Sequence, residues 1–92
     1  MVLDGTDPEQ QYWLRVWAAR GLLWVWADAA LPAIVDALAD EHWRVREMAA
    51  KVVARHCLGD AFDGVASLAA DPVPRVATAA ARAVRNLVAA GV

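Results

Sequence analysis

The sequence predicts an all-α protein built from stacked helical hairpins, and three observations support this fold class. Two alanines followed by a basic residue recur every 31 positions, so that the basic residues are Arg20, Lys51 and Arg82. A fixed period of this length is typical of repeat proteins in which each unit packs on the next. Alanine accounts for 22 of the 92 residues, and 60% of the chain is hydrophobic, which favours closely packed helices. Proline, glycine and aspartate also divide the chain into segments of helical length.

The first repeat is predicted to contain a single long helix. Asp7 and Pro8 indicate its start, because Asp is a favoured N-cap and Pro suits the first helical turn. The helix is expected to cover residues 8–26 and to be followed by a turn over residues 28–32. No segment long enough for another helix precedes it, so we expect this inner helix to lack the outer helix of a complete hairpin.

Two complete hairpins are predicted to follow, over residues 31–57 and 61–90. In the first, Pro32 opens a short outer helix that reaches residue 39, and Asp40 is expected to cap an inner helix over residues 41–57. In the second, Gly59 precedes a short outer helix over residues 61–70, and Pro74 opens the last inner helix, which reaches residue 90. Residues 1–92 are therefore predicted to form one domain of about five helices.

The hairpins also carry a motif that is shared with a known family. It reads Leu31-Pro32-x-Ile34-Val35-x-x-Leu38-x-Asp40 and then Val45-Arg46-x-x-Ala49-Ala50-x-Val52. This motif resembles a HEAT repeat, in the short class of about 30 residues first named in phycocyanobilin lyases. The resemblance implies a right-handed α-solenoid that binds proteins and in some members nucleic acid, and it does not imply lyase activity. It also implies that Asp40 caps its helix and that Arg46 bridges to a neighbouring turn.

Helical periodicity predicts which side of each inner helix faces the core. With Leu14, Val45 and Val76 directed inward, residues three or four positions apart share that direction. The predicted core stripes are Leu14, Ala18, Gly21 and Val25; Val45, Ala49, Val52 and His56; and Val76, Ala80, Ala83 and Leu87. The alanines and the glycine among these residues let neighbouring helices approach closely.

A second stripe beside the core stripe collects aromatic and basic side chains. It consists of Trp13, Trp17, Arg20 and Trp24 on the first inner helix, Arg44, Met48, Lys51 and Arg55 on the second, and Arg75, Ala79, Arg82 and Asn86 on the third. We call these three rows the Trp–Arg face. All of them except Ala79 and Asn86 are candidate binding residues, because indoles anchor protein interfaces and guanidinium groups recognise acidic partners.

The sequence alone is compatible with several functions of the Trp–Arg face. It could bind an acidic protein segment, stack the bases of single-stranded nucleic acid, or pack against a second copy of the chain. The basic residues could instead form a solvated face paired with Glu41 and Glu47. Non-catalytic protein–protein interaction is the predicted function. Nucleic-acid binding and a role as an accessory subunit of an enzyme or cofactor-maturation system are the alternatives.

Charge and composition argue against other classes of protein. The net charge is −2, with −5 over residues 1–41 and +3 over residues 42–92, which is far from a typical nucleic-acid binder. Charged residues interrupt the most apolar run, so no membrane span is expected. The single cysteine, Cys57, fits a reducing cytoplasm. His56 and Cys57 adjoin without a catalytic or metal-binding spacing, and no enzyme activity, cofactor or metal is predicted.

Overall fold

The computed structural model describes residues 8–21 and 28–91. Within those ranges the chain forms five α-helices and no strand: α1 (Pro8–Gly21), α2 (Leu31–Ala37), α3 (Trp43–His56), α4 (Phe62–Leu68) and α5 (Pro74–Ala89). Short 3-10 turns over Asp28–Ala30 and Gly59–Ala61 lead into α2 and α4. The all-α prediction is confirmed, whereas the assignment of residues 1–92 to one domain stays a prediction.

The helices are arranged as a repeat solenoid. The long helices α1, α3 and α5 stack side by side, α2 packs on α3, and α4 packs on α5. The two hairpins share one core in which Ile34, Val52, Val65 and Leu87 are almost completely buried. Gly64 lies against the Leu38 side chain, and a Cβ atom there would be 2.9 Å from Leu38 Cδ1.

The start of α3 differs from the prediction that Asp40 caps a helix beginning at Glu41. His42 is the N-cap, and its Nδ1 accepts a hydrogen bond from the Arg44 N–H at 3.2 Å. The Asp40 carboxylate instead accepts from the His42 N–H at 2.9 Å and closes the preceding turn. The helix ends at His56, and Cys57 is its C-cap: this residue adopts a left-handed conformation with φ 51° and donates its backbone N–H to the Val53 carbonyl.

The core prediction is confirmed in α3 and α5 but is wrong for α1. Val45, Ala49 and Val52 are buried, as are their counterparts in α5, while His56 is half-buried. Leu14, by contrast, is 44% exposed, and Ala18 and Gly21 are also exposed. The difference arises because α3 and α5 are each covered by a short helix of their own hairpin, and no helix of the described residues does this for α1. Val25 lies outside the described residues.

Arginine–aspartate pairs join consecutive repeats. Arg15 Nε lies 2.7 Å from Asp40 Oδ2. The equivalent pair in the next repeat has Arg46 Nε 2.8 Å from Asp71 Oδ2. The expectation that Arg46 bridges to a neighbouring turn is thus confirmed. Its Nη1 also donates to the carbonyls of Asp40 and Glu41 at 2.9 and 3.1 Å.

Hydrogen bonding sets the ionisation of Asp71. Burial pulls the pKa of its carboxyl upward, but the hydrogen bonds from Arg46 and the Val73 N–H, together with the Arg46 charge, leave the pKa below its ordinary value. The ionised carboxylate is therefore part of the folded structure.

Candidate interaction face

The Trp–Arg face begins on α1 with exposed indoles. Trp13 is 41% exposed and Trp17 is 60% exposed, although large apolar side chains are normally buried. On the other side of α1, Val16 and Ala19 are buried where α1 contacts α3. Trp24 lies outside the described residues. Two of the three predicted tryptophans are therefore accessible together on one helix.

Guanidinium groups lie over the exposed indole rings. The Arg20 Cζ is 5.4 Å from the Trp17 ring centroid, and the Arg44 Cζ is 5.3 Å from the Trp13 ring centroid. Both distances fall within the range of cation–π attraction. The second contact crosses from α3 to α1, so it joins two of the three predicted rows of the face.

The structure adds three aromatic residues to the face that the sequence interpretation did not include. The rings of Tyr12 and His42 stack at 3.7 Å with an interplanar angle of 5°, and Tyr12 also stacks on Trp13 at 5.1 Å. His42 in turn lies 6.3 Å from the Trp43 ring. We call Tyr12, Trp13, His42 and Trp43 the aromatic row, which runs from α1 to the start of α3.

Basic residues extend the aromatic row toward α5. Two of them approach the Trp43 ring, with Arg44 Cζ at 4.8 Å and Arg75 Cζ at 5.5 Å from its centroid. A signal for this arrangement was present in the sequence, because Tyr12 and Trp43 are 31 positions apart and each directly precedes a predicted site residue.

Beyond the aromatic row, a groove of about 950 Å³ lies between α3 and α5. Four predicted binding residues line it, namely Lys51, Arg55, Arg75 and Arg82. Met48 does not line it; this side chain is half-buried against the core. The structure therefore divides the predicted face into an aromatic part on α1 and the start of α3, and a basic groove farther along the stack.

Glu47 is the one carboxylate in the groove wall. The residue is only 8% exposed and occupies the repeat position that Val16 takes in α1. Its Oε2 accepts a hydrogen bond from Arg75 Nε at 2.9 Å and lies 3.9 Å from Lys51 Nζ. The alternative interpretation, a basic column paired with acidic residues, thus applies to these two cations. Arg82 forms no ion pair with any residue that the structure describes.

A second cleft, of about 320 Å³, lies between α1 and α2 at the leading end of the stack. It is lined mainly by small apolar residues, among them Ala18, Ala33 and Ala37. The exposed side chain of Leu14 lies on the same helix as Ala18. This end of the stack therefore presents apolar surface that no described helix covers.

The described residues give no support for a metal site or for a membrane-spanning helix. Among residues 8–21 and 28–91, no three His, Cys, Asp or Glu side chains are grouped as metal ligands. The thiol of Cys57 is free and exposed, and its Sγ lies 3.9 Å from the Ala54 carbonyl. No α-helix in these ranges combines the length and the apolar character that crossing a bilayer requires.

Comparison with known proteins identifies the family. The family model for HEAT repeats matches residues 2–85, which is most of the chain. Neither the curated proteins nor the solved structures contain a match to the sequence. HEAT repeats generally serve as scaffolds for protein–protein interaction and are typically non-catalytic. The length of the match, the stacked hairpins and the recurring arginine–aspartate pairs lead to one conclusion: this chain belongs to the HEAT repeat family.

Proposed function

We propose that this chain is a non-catalytic scaffold that binds a protein partner through the Trp–Arg face. The observation that carries the proposal is the pair of exposed indoles, Trp13 and Trp17, each with a guanidinium group over its ring. Tryptophan and arginine dominate the binding energy of protein interfaces. Stacking also restricts the side chains before binding, which lowers the entropy lost on association.

Charge supports a protein partner over nucleic acid. The chain has a net charge of −2, which is far from the strongly basic balance that is typical of nucleic-acid binders. The exposed indoles on α1 are instead typical anchors of protein interfaces.

A second copy of the chain is an alternative partner, and the leading end of the stack favours it. Leu14 is 44% exposed beside the cleft between α1 and α2. Exposed apolar patches commonly mark association surfaces. Light scattering distinguishes the cases: a homodimer gives twice the monomer mass, and replacing Leu14 with serine should return the mass to that of the monomer.

A capture experiment tests the proposed function. The chain is immobilised and incubated with an extract of its source cell, and bound proteins are quantified for wild type, Trp13→Ser/Trp17→Ser and Val88→Ser. Val88 is a matched control, because it is 60% exposed, as Trp17 is, but lies outside the Trp–Arg face. We expect a protein that is lost with the tryptophan variant and retained with Val88→Ser.

Salt and nuclease treatment separate the remaining alternatives. Retention through indole anchors should change little with ionic strength, whereas retention through nucleic acid should fall steeply with salt and disappear after nuclease digestion. Equal capture by wild type and the tryptophan variant would refute the proposal. If the captured protein is an enzyme or maturation factor, the chain is its accessory subunit; this role and a cytoplasmic location stay predictions.

A further inference from the structure

We infer that the groove between α3 and α5 binds an extended acidic protein segment whose carboxylates are three residues apart. This inference rests on the proposed function, because it specifies which chemistry the partner brings to the basic part of the Trp–Arg face. It concerns a different set of side chains from the exposed indoles of α1, so the two can be tested separately.

Positive charge predominates in the groove wall. Lys51, Arg55, Arg75 and Arg82 line it together with a single carboxylate, Glu47. Glu47 is already engaged by Arg75 and Lys51. The basic side chains of the lining therefore outnumber its one carboxylate, and Arg82 has no ion pair to any described residue. Complementary charge of this kind favours and orients an acidic partner.

The spacing of two arginines sets the spacing of the ligand's carboxylates. Arg75 and Arg82 are seven residues apart on α5, which places their positions about 10.5 Å apart along one side of the helix. A segment in the polyproline II conformation advances about 3.1 Å per residue and has three residues per turn, so residues i and i+3 lie on the same side about 9.3 Å apart. Two acidic residues at these positions can each approach one arginine.

The rest of the lining suits a peptide better than a nucleic acid. Ala54, Pro74 and Ala79 add apolar surface between the charged groups, and Asn86 donates its side-chain amide to the Ala54 carbonyl at 3.2 Å. There is no aromatic ring in the groove wall on which a base could stack. The wall therefore offers short apolar contacts between two cationic positions, which matches two acidic residues separated by two small or proline residues.

An NMR titration with synthetic peptides tests the inference. The probe is a proline-rich peptide with two glutamates three positions apart, and the control peptide has the same composition with adjacent glutamates. We expect the probe to shift amide signals of α3 and α5 and to bind more tightly than the control. Arg82→Ala should weaken probe binding about two- to fivefold at low salt, which is the effect of one exposed ion pair.

Arg85→Ala is the matched control variant, because Arg85 is an exposed arginine on the same helix but does not line the groove. It should bind the probe as wild type does. Equal affinity for the two peptides, an equal loss in both variants, or tighter binding of a thymidine oligonucleotide than of the probe would overturn the inference. If capture still depends on Trp13 and Trp17 but the peptide titration gives one of these outcomes, this inference is wrong and the proposed function is unaffected.

Discussion

Replacing Asp71 with alanine should destabilise the fold more than the same replacement at Asp40, although both carboxylates bind an arginine from the preceding inner helix. The Arg46–Asp71 side chains are 15% and 5% exposed, whereas the Arg15–Asp40 side chains are 38% and 13% exposed. The same ion pair thus occurs at two sites that differ in burial, and burial determines how much an ion pair contributes to the free energy of unfolding.

The expected magnitudes follow from the contacts that each change removes. Asp71→Ala removes both hydrogen bonds from Arg46 and the one from the Val73 N–H. Removing one partner of a buried pair costs about 3–5 kcal/mol, and the lower end applies because Arg46 keeps two carbonyl acceptors. We expect a loss of about 3 kcal/mol. For Asp40→Ala, solvent screening of Arg15 limits the ion-pair loss to at most about 1 kcal/mol, and the lost His42 hydrogen bond adds about 1 kcal/mol.

Urea unfolding monitored by circular dichroism measures the difference. For a domain of this size, about 1 kcal/mol corresponds to a shift of about 4–8 °C in Tm, so the two variants should also separate clearly on heating. Asp71→Asn is a useful companion because an amide oxygen can still accept from Val73. A loss for Asp40→Ala equal to or larger than that for Asp71→Ala would refute this reasoning.

Three further predictions concern stability. The pKa of Asp71 is lower in the folded than in the unfolded chain, so its contribution to the free energy of unfolding should be complete above about pH 4 and should decrease as the pH falls through the folded pKa. Asp71→Asn should weaken this pH dependence in acid unfolding curves. Cys57→Gly should raise the free energy of unfolding by about 0.5–1 kcal/mol, since φ is 51° and the side chain is exposed, and a lower stability would contradict this. Gly64→Ala should destabilise the wild type because it crowds Leu38, but it should stabilise a Leu38→Ala variant by up to about 1 kcal/mol. A double-mutant cycle measured by urea unfolding would detect this change of sign.

The repeat period was sufficient to predict the helices and most of the core. Val45 and Val76 are 31 positions apart and both are buried, because each lies beneath a short helix of its own hairpin. Leu14 occupies the same position in the period but is exposed. Periodicity identifies equivalent positions, while burial depends on whether a neighbouring helix is present, and that information is not contained in the stripe itself.

Contacts between distant residues explain the other differences. Asp40 was predicted to cap a helix, but its carboxylate accepts from the His42 N–H in the preceding turn and also pairs with Arg15, which is 25 residues away. The Tyr12–His42 stack likewise depends on how α1 and α3 are placed side by side. Local propensities describe single helices, so they could indicate exposed tryptophans and arginines but not the aromatic row that connects them.

Hydrogen–deuterium exchange of the chain with its captured partner tests the central claim, that the partner binds the Trp–Arg face. The claim predicts slower exchange in α1, α3 and α5 around residues 12–20, 43–55 and 75–86, with little change in α2 and α4. Protection confined to α2 and α4, with the three long helices unchanged, would contradict it.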